Sequence, residues 1–79
     1  MAEFPKMKES EYAVLFVEKA TGIVVDQDGK RHNQKPHQIM FTIFDSYEEA
    51  EHWAKLRLSQ QTFLESSIYN SKHEVIASF

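Results

Sequence analysis

The apolar positions along this chain change period twice, and the changes divide it into elements. "EYAVLFVEK", residues 11–19, places Tyr12, Val14 and Phe16 on one face of an extended strand and Ala13, Leu15 and Val17 on the other. Its β-branched and aromatic content favours a strand. "HQIMFTIF", residues 37–44, repeats the alternation, with Ile39, Phe41 and Ile43 against Met40, Thr42 and Phe44. A hairpin with a long connection is the simplest way to join the two. Within that connection Ile23, Val24 and Val25 are expected to prolong the first strand past a bend at Gly22, and "DQDG" is a turn signal ending in Gly29. Pro36 lacks an amide hydrogen and suits the position just ahead of the second strand.

The period then shifts to 3.6. In "FDSYEEAEHWAKLRLSQQ", Asp45 or Ser46 can cap a helix, and each has a glutamate three residues later, Glu48 or Glu49. Asp45, Glu48, Glu49 and Glu51 suit the positive end of the helix dipole, with Lys55 and Arg57 further on. A helix over about 46–61 follows, its sheet-facing stripe being Tyr47, Ala50, Ala54 and Leu58. "LESSIYN" and "EVIASF" read as two closing strands about the turn "NSKH". The predicted fold is α+β: a small antiparallel sheet in β-β-α-β-β order with one helix packed on one face. Residues 1–9 lack periodicity and are expected to form a flexible tail, whose Phe4 is free to dock, ahead of a single domain over residues 10–79.

This pattern leaves a burial problem. One helix covers one face of a sheet, yet both alternating sets of the first two strands are apolar, where a solvated face would carry polar residues. On the helix, Trp53, Leu56 and, if the helix runs so far, Phe63 point away from the alanine stripe. Leu15, Val17, Trp53, Leu56 and Phe63 are therefore the expected interface of a homodimer, a surface that can also receive a protein or peptide partner. Tyr47 is assigned to the core.

Composition sharpens this expectation. A chain of 79 residues removes only about 60–65% of its unfolded surface on folding, so its core is thin. It has no cysteine, which excludes disulfide staples and thiolate metal sites and fits a reducing, cytoplasmic compartment. No apolar run approaches the ~20 residues of a membrane-spanning helix, and "MAEFPKMKES" has no secretory h-region. The net charge of −3 argues against a general nucleic-acid binder. The exception is one basic cluster, Lys30, Arg31, His32, Lys35 and His37, the alternative reading being an anion, small-ligand or nucleic-acid site on that loop. The loop has no phosphate-cradling glycine motif and no aromatic residue between its cations.

The remaining chemistry points away from catalysis. Four histidines are present, but there is no H-E-x-x-H pattern, and Glu48 with His52 at i, i+4 is expected to form an exposed pair rather than a zinc site. No nucleophile elbow accompanies the serines, and the glutamates of the helix start serve its cap and dipole. The expectation is a non-catalytic domain with no metal and no cofactor.

Overall fold

The computed structural model describes residues 4–26, 31 and 40–79. The chain order is β1 (Tyr12–Glu18), β2 (Val24–Val25), β3 (Thr42–Phe44), α1 (Tyr47–Gln60), β4 (Leu64–Tyr69) and β5 (Val75–Ser78). It is an α+β fold, a single antiparallel sheet with one helix packed on it.

β1 lies in the interior of the sheet, with β4 on one side and both β2 and β3 on the other. β2 pairs with the end of β1, Phe16 to Val25 and Val17 to Val24. β3 pairs with its start, Tyr12 to Phe44 through Val14 to Thr42. The two short strands therefore lie end to end and run in the same direction along one side of β1. Among the described residues β5 pairs with β4 alone and is the sheet's edge on that side.

Ile23–Val25 do not prolong β1; they fold back on it. The amide of Glu18 donates to the Ile23 carbonyl at 2.9 Å and that of Gly22 to the Glu18 carbonyl at 2.8 Å, closing a loop over residues 19–22. Gly22 sits there at φ +72°, in the left-handed region that a side chain disfavours. Val25 also bridges Arg31 on its outer side; the expected turn at "DQDG" lies, after Asp26, outside the described residues. The second predicted strand is regular only over Thr42–Phe44; its earlier residues, 37–39, lie outside the described residues.

The helix forms where its signals predict. Ser46 is the N-cap, extended at φ −143°, and its hydroxyl accepts the Glu49 amide at 3.3 Å. Ala50 and Ala54 are fully buried against Val14, Phe16, Val25, Leu64 and Ile68, and Tyr47 and Leu58 pack at the margin of this cluster. Small side chains on the helix let its backbone approach the sheet closely. After β4 the chain reverses through Asn70, whose Oδ1 accepts the amides of Lys72 and Glu74, and through His73 at φ +65°. A bulge follows, in which Ile76 has no partner opposite it between the pairs Ile68–Ala77 and Tyr69–Val75.

Candidate interaction surface

Alternation from the helix-facing residues Val14, Phe16 and Ile68 places Ala13, Leu15, Val17, Val24, Ile43, Ser67 and Tyr69 on the other face of the sheet. No helix covers that face among the described residues, yet Ala13 is completely buried. Beside it packs the N-terminal segment: the Phe4 ring lies tilted against Phe41 at 4.6 Å, meets Tyr69 edge-on at 4.8 Å and stacks parallel to His73 at 4.2 Å. Since Tyr69 is the cross-strand neighbour of Ala13, this four-ring cluster caps one end of the face. Leu15 and Val17, further along β1, are half-buried.

The other expected interface residues separate. Trp53 turns inward, its ring edge-on to Phe16 at 6.5 Å and tilted against Phe44 at 6.2 Å, with the Arg57 guanidinium 4.9 Å from its centroid. It packs on the core margin. On the wheel it lies roughly 100° from Ala54, and a ring of that size spans the difference. Leu56 and Phe63 remain exposed. Sequence reasoning overlooked the richest part of this surface, the free edge: Val75, Ile76 and Phe79 join Leu56 and Phe63 as the large apolar side chains exposed by 36% to 52%. The signal was present in "EVIASF", an uncharged apolar strand after its first residue, but periodicity alone does not say which strand lies outermost.

Trp53 and Phe44 also floor an open groove of about 430 Å³, rimmed by Glu48, Glu49 and His52. Glu48 and His52 line it without the expected ion pair; the pairs among the described residues are Arg31–Glu18 and Lys55–Glu51. The Trp53 Nε1 is buried with no hydrogen-bond partner among the described residues.

Of the basic cluster, Lys30, His32, Lys35 and His37 lie outside the described residues. Arg31 is engaged: its Nε and Nη2 donate to the two Glu18 carboxylate oxygens at 2.9 and 3.1 Å. This fork is the geometry a guanidinium would otherwise offer a phosphate. Among the described residues no three His, Asp or Glu side chains gather as a metal site, and no helix is long and apolar enough to cross a membrane. Compared with protein-family models, with curated proteins and with solved structures, the chain matches none.

Proposed function

We propose that this chain is a non-catalytic interaction module of the cytoplasm that forms a homodimer through apolar surface its single helix leaves uncovered, and that the same surface can receive a protein or peptide partner. The observation that carries this reading is the exposure of Leu56, Phe63, Val75, Ile76 and Phe79 on so small a domain. Each such side chain, when buried by a partner, contributes on the order of 1.5–3 kcal/mol before ordering costs. A thin core makes that gain weigh more than it would in a large protein. The basic-loop reading draws no comparable support, because the Arg31 fork is occupied by Glu18.

Sedimentation equilibrium at tens of micromolar is the test. A dimer mass that holds from low to high salt is expected, since apolar association is not screened as charge pairing is. A monomer at every concentration, or a dimer that dissociates as salt rises, rejects it.

A further inference from the structure

We infer that the two copies join edge to edge through β5, antiparallel across a two-fold axis perpendicular to the sheet, so that the sheets merge into one; this rests on the self-association proposed above and specifies its contact. The backbone gives the first argument. Phe79 and Ser66 exchange both of their hydrogen bonds, at 2.9 and 3.0 Å, so by the alternation of an antiparallel ladder the N–H and C=O of Ser78 point away from β4, to the open side. An outer row of this kind is its own complement under a two-fold axis. Natural edges are commonly guarded by lysine or proline, and Val75–Phe79 contains neither. The bulge at Ile76 is its one irregularity.

Charge supplies a second and independent argument. No charged side chain lies between Val75 and Phe79, so self-pairing sets no like charges opposite one another. The flanking charges are opposite in sign and stand at opposite ends of the strand. Glu74 precedes it on the helix side, where its carboxylate accepts from Asn70 at 3.0 Å. Lys55 stands over the ring of Phe79 at the far end, 5.3 Å from the centroid. Antiparallel pairing brings Glu74 of each copy alongside Phe79 and Lys55 of the other, twice by symmetry. An edge of five residues is short against the ~20–30 residues a side of a standard interface, so dissociation constants in the micromolar range are expected.

The experiment is sedimentation equilibrium on three proteins: wild type, Ser78→Pro and Ile76→Lys. Proline at 78 removes an amide hydrogen that β4 does not use and is compatible with an edge strand; lysine at 76 adds the charge that natural edges carry. A wild-type dimer whose dissociation constant rises at least tenfold in Ser78→Pro supports the inference. A wild-type dimer left unchanged by a folded Ser78→Pro overturns edge pairing while self-association stands, moving the contact to the Leu15–Val17 face. If circular dichroism shows Ser78→Pro unfolded, Ile76→Lys decides by the same criterion. A monomeric wild type overturns both readings and leaves the edge to an extended peptide.

Discussion

Glu18 closes the first strand, and three donors converge on its carboxylate: Nε and Nη2 of Arg31 and, at 2.8 Å, the Thr21 hydroxyl. These hydrogen bonds, that of Arg31 foremost and that of Thr21 next, hold the carboxyl below the usual glutamate value of 4.5. A folded-state pKa that is depressed gives stability which is present above the unfolded value and lost as pH falls through the folded one. Wild type is therefore expected to melt above Glu18→Gln at neutral pH, with the gap closing as pH drops below 4.5; thermal melts across that range check it. The Arg31 side of the pair is open to solvent, so the gap is modest. Neither partner was legible as such: nothing local links Glu18 to Arg31, which meet through the reversal at Gly22 and the antiparallel bridge of Arg31 to Val25. The Ser46 cap was legible, because a hydroxyl one residue ahead of a helical run has a local job whatever the tertiary fold.

At the scale of elements, the helix is the part that local chemistry specifies most fully. Ser46→Ala removes the acceptor for the Glu49 amide and is expected to cost about 1 kcal/mol. For a domain of this size that is a fall of roughly 4–8 °C in Tm, measurable by calorimetry. The strands divide by how their information is carried. β1, β4 and the turn at Asn70 followed from alternation and turn chemistry. β2 did not, since Ile23–Val25 is equally apolar whether the chain continues or doubles back, and the deciding feature is the positive φ of Gly22. Trp53 lies nearer the core than its wheel position suggests for a related reason: the wheel locates a Cβ, while an indole beside Phe16 and Phe44 has the reach to settle a quarter turn away, still partly exposed.

For the whole molecule, the shortage of cover read from the pattern is met at one end of the sheet by the N-terminal segment, while the exposed large apolar residues lie at Leu56, Phe63 and along β5. The residue that meets it is Phe4, which alternation could not place because it belongs to no element; its anchors, Phe41, Tyr69 and His73, come from three separate parts of the chain. Phe4→Ala should lower stability by about 1–3 kcal/mol, less than a fully buried phenylalanine because the ring is half-exposed. A lower urea midpoint, with increased binding of a hydrophobic dye by the still-folded protein, is the expected result. An unchanged midpoint would mean that the four rings contribute little to holding the segment down.

The end-to-end alignment of β2 and β3 along β1 fixes how the two fragments relate. Val25 stands opposite Phe16 and Thr42 opposite Val14, so Leu15 leaves a place for a single residue between them. Asp26 joined directly to Thr42 would fill that place and turn the two fragments into one unbroken strand, every side chain keeping its face. The joint is therefore register-neutral, and what the inserted stretch adds at Arg31 and Phe41 is contact with Glu18 and with Phe4 rather than a change in the pairing of β1.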